Sequence, residues 1–472
     1  MATTTLKPID PSTVETLSGR FAPVHVETEV ASLQVEGSLP PDLGGSYVRN
    51  GPNPMFDPLG SYTYPLEGDG MLHAVTIENG KASYRNRWVR TQGLVAEERA
   101  GRALFGGLMT PAFVDESLLG DDPDPGLPFK LNAFVNIVRH NGHLVALEEG
   151  MPGYEVSSEL QTLGRFDFDG ALPLGITAHP KVDPITGEMV VFRYDTEQPY
   201  LTWAVVDPNG SVLRGPTEVK EVERGYMVHD FSVTEHHAVF ILGPGVLDLE
   251  APMRGQSPLQ WRPELGTRVV VVPRDGVGPN ITFDLDAFWA WHFANAFEAD
   301  GRITIDFPWW SSLGNAGSDF STVTGAFSRL VLDPASGASQ LTHLDDTGTE
   351  FPRIDDRLLG RQHRYLTVVA STGRSDLKLF EHDRLSRWDM QAGSRVSYDS
   401  DACLGEVVFA PRPGGTDELD GYYMTFANSL DDGRSWLYVW DAASFPAPPR
   451  ARVLIPTRVP NGIHGNWFVD WV

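Results

Sequence analysis

Short runs of hydrophobic residues, alternating with polar ones or continuous, recur along nearly the whole chain. The clearest cover 72–78, 82–91, 188–194, 201–206, 267–273, 302–307, 327–332, 365–371, 405–410, 421–427 and 436–441. Each is rich in β-branched or aromatic residues and bounded by turn formers, which predicts strands. The connections repeat one chemistry: Asp183-Pro184-Ile185-Thr186-Gly187, Asp207-Pro208-Asn209-Gly210, Asp333-Pro334-Ala335-Ser336-Gly337 and Asn79-Gly80. Asp before Pro opens a type I turn, and the closing Gly supplies the positive φ that sends the chain back antiparallel. Hairpins are therefore expected, with one helix candidate within 92–119.

No linker or compositional break divides the 472 residues. One domain spanning 1–472 is expected, with 1–29 as a partly ordered N-terminal extension. Many hairpins in an uninterrupted chain suit either radial repetition or two packed sandwiches. A seven-bladed propeller needs about 28 strands, and this length supplies them at roughly 12–17 residues each. No WD or kelch signature is present.

Composition narrows the function. The formal net charge of -26, with no basic cluster above that background, disfavours nucleic acid and electrostatic docking on anionic lipid. Cys403 is the single cysteine, which excludes an internal disulfide and Cys-rich zinc or iron–sulfur sites. The N-terminus lacks the basic start and apolar core of a secretory signal, and no apolar run reaches membrane-spanning length. A soluble cytoplasmic protein is expected.

The candidate chemistry lies in the histidines. His140, His143, His236 and His237 sit at hairpin turns among polar neighbours and read as solvated; His25, His343, His363 and His382 carry no signal. His179 (ITAHPKVDP), His229 (GYMVHDFSV), His292 (WAWHFANAFE) and His464 (NGIHGNWF) differ, because apolar or small residues flank each one. A lone buried imidazole is usually a hydrogen-bonded core residue. Four in similar settings are expensive without a shared partner. Their spacings of 50, 63 and 172 residues exclude a zinc finger or a helical pair and fit ligands from separate blades converging on one axis.

Glu149, Glu350 and Glu406 occupy similar settings. Buried carboxylates commonly accept the second N–H of metal-bound histidines. The bland alternative pairs these glutamates with arginines such as Arg353 and Arg412. Four neutral ligands with outer carboxylates suit a divalent first-row metal that keeps open positions.

At these motifs the chain resembles the carotenoid cleavage oxygenases, a family that includes stilbene-cleaving members. The resemblance runs from about residue 30 to the C-terminus. It includes the block GSYVRNGPNPMFDPLGSYTYPLEGDGMLHAVTIENGKASYRNRWVRT (45–91) and all seven histidine and glutamate motifs in order. It implies an all-β, seven-bladed propeller with a dome of loops and helix over an axial metal site. It further implies one Fe(II) per chain held by His179, His229, His292 and His464. Glu149 would support His229, Glu350 His292 and Glu406 His464, leaving His179 without a carboxylate. The implied reaction is O2-dependent cleavage of a C=C bond to two carbonyl products, on a lipophilic polyene and with no obligate protein partner.

Two positions depart from the family. Val135 stands where many members have Thr, and Glu148 replaces the aromatic or small residue common in carotenoid-cleaving relatives. Stilbene-cleaving members recognise a phenol with a Tyr and a Lys. The Tyr falls just after the segment Leu104-Phe105-Gly106, where this chain has Gly107 and Leu108, and the Lys falls at Glu148. A phenolate beside a carboxylate is unfavourable, so a carotenoid or apocarotenoid is expected over a hydroxystilbene. Phe105, Phe293, Phe297, Trp309 and Trp310 are candidate tunnel residues, each with blade packing as its alternative role. Segment 103–114 (ALFGGLMTPAFV) is a candidate for apolar contact with a membrane surface. Two competing readings are a non-catalytic carotenoid-binding propeller and, as a minor one, retinyl-ester isomerisation or hydrolysis.

Overall fold

A computed structural model describes every residue except 1–5, 113, 121–122, 126, 315–321, 470 and 472. Its strands form seven sheets arranged as the blades of a propeller, plus a two-stranded hairpin, Gly245–Leu247 with Leu259–Trp261. Blade 1 holds Gly45–Arg49, Met71–Glu78 and Lys81–Trp88, with Glu29–Val30 outermost and Gly465–Phe468 innermost. Blades 2 to 6 span 136–166, 181–218, 232–285, 295–345 and 349–399, four strands apiece. Blade 7 spans 402–454 and takes Val35–Gly37 as its outer strand.

Closure is made by the chain ends. Gly465–Phe468 pairs antiparallel with Gly45–Arg49, with Tyr47 opposite Trp467 and Arg49 opposite Gly465. The ring is held by a separate apolar cluster at every blade–blade interface. Middle strands pack against neighbours on both faces, so Val269–Val272 is buried without interruption, whereas the outer strand Val212–Glu218 is largely exposed. Burial on both faces is why the sequence shows continuous apolar runs beside alternating ones.

The hairpin turns form as expected. Asp183 Oδ1 accepts from the Ile185 and Thr186 amides, and Gly187 takes φ 71°. The helix is shorter than the candidate region: Gln92–Ala100, capped by the Thr91 hydroxyl and stopped at Gly101 with φ 64°. Residues 6–28 of the extension dock on the propeller, with Arg20 paired to Glu381 and Phe21 against Tyr64. Leu104, Phe105 and Val114 of segment 103–114 turn onto a cluster with Ala96 and Leu119; Phe113 lies outside the described residues. No helix among the described residues is long and apolar enough to cross a membrane.

Two histidine expectations need correction. His140 is buried, its Nε2 bonded to the Asp207 carbonyl, rather than solvated. His363, which carried no signal, is buried between Asn295 and Asp306. In both cases the neighbouring blade, invisible in local sequence, supplies the covering groups.

Candidate metal centre

His179, His229, His292 and His464 are all buried, and their nitrogens lie within 4.8 Å of one another on the propeller axis. Each lies just before the innermost strand of its blade: 3, 4, 5 and 1 respectively. Glu149, Glu350 and Glu406 come from the remaining blades, 2, 6 and 7. Every blade thus contributes one group to the axis.

The carboxylates fix the imidazoles. His229 Nδ1 pairs with Glu149, His292 Nδ1 with Glu350 at 2.7 Å, and His464 Nδ1 with Glu406 at 3.0 Å. No carboxylate reaches His179 among the described residues. The carboxylates are themselves held: Tyr194 donates its hydroxyl to Glu149, Trp310 its Nε1 to Glu350, and the Gly465 amide to Glu406, with Arg353 beside it. Arg353 therefore sits in the support of the centre, while Arg412 pairs with Asp42 and Asp420 elsewhere.

With Nδ1–H committed outward, each braced Nε2 presents a lone pair to the axis. Nε2 atoms face each other at 3.2 Å (His179–His229), 3.1 Å (His229–His292) and 3.1 Å (His292–His464). Two acceptors at that distance repel unless a cation lies between them. A centre equidistant from adjacent nitrogens and subtending a right angle lies about 2.2 Å from each, close to a first-row metal–imidazole bond. The donor set fits a divalent metal.

Electrostatics point the same way. Burial, then the neighbouring imidazoles, hold His179 well below the usual histidine range, and burial brings His464 to about 4. Both are therefore neutral near pH 7, the state in which imidazole binds metal. Burial pushes Glu406 up, but Arg353 and His464 outweigh it and hold the carboxyl at about 2. Burial likewise opposes ionisation of Glu149, but His229 and Tyr194 keep it below the usual carboxylate range.

The loops bearing the ligands are cross-tied. Asp230 accepts from Lys181 at 2.7 Å and from the Phe293 amide at 3.0 Å, joining blades 3, 4 and 5. Asn136 donates to the Ala178 carbonyl and accepts from Asn466, joining blades 2, 3 and 1. Phe351 is held at φ 50°, a strained value for a bulky residue, and its ring lies 5.4 Å from His292 and 5.5 Å from His464. Sequence reasoning missed Asp230, Tyr194 and Phe351, whose one signal was adjacency to a histidine or glutamate motif in the first and last cases.

The remaining candidates divide. Val135 packs with Leu147, Ala178 and Ile463, and its carbonyl accepts from the His464 amide at 3.2 Å. Phe105 and Glu148 line one dome cavity of about 120 Å³. Phe293 lines a second cavity of about 320 Å³ that runs along the inner strands to His179, His292 and His464. Phe297 packs on His363 and Trp309 on His343, and neither lines these two cavities. Trp310 faces the centre through Glu350 and joins a dome cluster with Met227, Trp289, Trp291 and Leu313.

The family model described as RPE65, retinal pigment epithelial membrane protein, matches residues 21–469. Isoeugenol monooxygenase from Pseudomonas nitroreducens is 31% identical, covering 96% of this chain and 97% of its own. Carotenoid 9,10(9',10')-cleavage dioxygenase 1 from Pisum sativum is 32% identical, covering 96% and 90%. The crystal structure of Pseudomonas brassicacearum lignostilbene dioxygenase superposes with a TM-score of 0.87 at 30% identity, covering 96% and 98%. Matched along almost all of its length by sequence and by fold, the chain belongs to the RPE65/carotenoid cleavage oxygenase family and is an oxygenase.

Proposed function

We propose that this protein is a non-haem Fe(II) dioxygenase that cleaves a conjugated C=C bond of a carotenoid or apocarotenoid. One alkene and one O2 give two carbonyl products, with one oxygen atom in each. The observation that carries this reading is the axial ring of four imidazole nitrogens, three of them braced by carboxylates. Iron, when bound, supplies O2 binding and activation. The protein holds the ligands in one tautomer and keeps water from the alkene. The dome cluster of Met227, Trp289, Trp291, Trp310 and Leu313 offers an apolar, aromatic wall beside Glu149 and Glu350. Such a wall suits a flat conjugated chain.

A second reading within the family is an aryl alkene of the stilbene or phenylpropanoid kind. It is favoured by the dome cavity at Glu148, where Glu67, Lys130 and Tyr62 stand among the aromatic residues, so the wall there is not dry. The test is competition between an apocarotenal and a resveratrol-like stilbene at equal concentration on iron-loaded protein, with products identified by mass. Preferential cleavage of the apocarotenal is expected. Faster stilbene turnover moves the substrate to the second reading, and binding without any product supports a non-catalytic propeller.

A further inference from the structure

Arg49, at the end of the strand Gly45–Arg49, is 2% exposed and has no counter-ion. Its Nη2 donates to the Pro460 carbonyl, and its Nε, sealed from solvent, has no acceptor. No carboxylate lies within ion-pair distance of it among the described residues, whereas Arg353 pairs with Glu406 at 3.2 Å. Burying an unpaired guanidinium costs free energy, which makes its surroundings informative.

Those surroundings are the two segments that carry Glu406 and His464. The guanidinium carbon stands 5.0 Å from the centre of the Phe426 ring, and the Phe426 carbonyl accepts from the Gly405 amide at 3.1 Å. A methyl on Gly405 would come within 3.3 Å of Nη1, and one on Gly462 within 2.7 Å of Cζ. The guanidinium thus lies against Gly405, which precedes Glu406, and against Gly462, two residues before His464. Only glycine at 462 leaves room for it. The adjoining backbone grips the same place. Arg49 is opposite Gly465 in the sheet, the Asn50 amide donates to the His464 carbonyl at 2.9 Å, and the Ile463 amide to the Asn50 carbonyl at 3.1 Å. Gly465 in turn donates its amide to Glu406 at 2.9 Å. Burial works against the Arg49 charge, and Glu406 is the carboxylate that most favours it.

We propose that Arg49 is a positioning residue of the metal centre: its buried guanidinium fixes the separation of the Glu406 and His464 segments and so holds that brace and ligand in register with the other three histidines. The proposal rests on the four-histidine metal site and adds a residue to its support. Arg49 acts through Glu406 and His464 rather than on the metal. Lysine does not reproduce this, because an ammonium lacks the planar fork that reaches Pro460, Gly405 and Gly462 together.

The test is cobalt(II) binding to the full-length protein by chelator competition, with the visible absorption of the bound ion as a readout of ligand geometry. Arg49→Leu should lower affinity about tenfold or more and Arg49→Lys by less, and both should change the spectrum. A double-mutant cycle separates positioning from general stability. Once Glu406→Gln has weakened the brace, Arg49→Lys should cost little more; beside Glu149→Gln it should cost its full factor. Phe240→Leu, in the core between blades 3 and 4, should lower the melting temperature with affinity and spectrum unchanged. Where Arg49→Lys does not fold, Gly405→Ala, whose methyl presses on Nη1, takes its place with the same expected signs. Unchanged affinity and spectrum in that variant overturn the proposal. So do equal further losses in the two glutamate backgrounds, or a spectrum that follows melting temperature across all variants. An unmodified protein that binds no cobalt gives a different failure, refuting the metal site itself and the positioning role with it.

Discussion

Glu148 and Glu149 are neighbours in sequence with opposite surroundings. Glu149 is saturated by His229 and Tyr194 and kept ionised, whereas Glu148 keeps one oxygen open to a cavity and is pushed up to about 7 by burial. The metal centre is a region in which nearly every polar group is fixed by another from a different blade. In the cavity lined by Glu148, one of its carboxylate oxygens has no hydrogen-bond partner among the described residues. Rigidity serves where the geometry of ligands must not vary.

The largest effect is expected at the ring itself. Replacing His179, His229, His292 or His464 by Ala should abolish both iron retention, measured by metal analysis, and cleavage. A variant that keeps full iron occupancy removes that residue from the ligand set.

Next come the braces. Glu149→Gln, Glu350→Gln and Glu406→Gln should preserve the fold, checked by circular dichroism, and lower iron affinity or activity by about 10–100-fold. Glu148→Gln, one residue away, should leave iron affinity at its original value in a chelator competition. Equal losses at 148 and 149 would erase the contrast between the two regions.

A smaller change is expected one layer further out. Tyr194→Phe removes a hydrogen bond to Glu149 but leaves the pair with His229, so iron affinity should fall by less than about tenfold. Trp309→Phe should change least. It packs on His343 inside blade 5, so calorimetry should show a loss of about 1 kcal/mol with product identity unaltered.

Local chemistry made much of this legible in sequence. The Asp-Pro-x-x-Gly turns act through Asp and Gly side-chain and φ preferences that neighbours do not alter, and they form as read. The four histidines and three glutamates stood out because apolar flanks surround polar residues. What was not legible depends on contacts between blades. The segment 405–410 is not one strand: pairing resumes at Val408 after Ala402–Leu404, and Glu406 in the break turns to His464. Trp309 and Trp310 looked alike in sequence, yet strand alternation sends one into the blade and the other to Glu350. Tyr194 closes an ordinary strand of blade 3, and only the packing of blade 2 beside it brings Glu149 to its hydroxyl.

The most direct measurement is aerobic incubation of iron(II)-loaded protein with a panel of carotenoids, apocarotenals and stilbenes, followed by mass analysis of the products. Two carbonyl compounds are expected from one of these alkenes, with masses that sum to that of the substrate plus O2, and none from iron-free protein. Recovery of every substrate intact, or equal product without iron, would contradict an iron-dependent alkene cleavage.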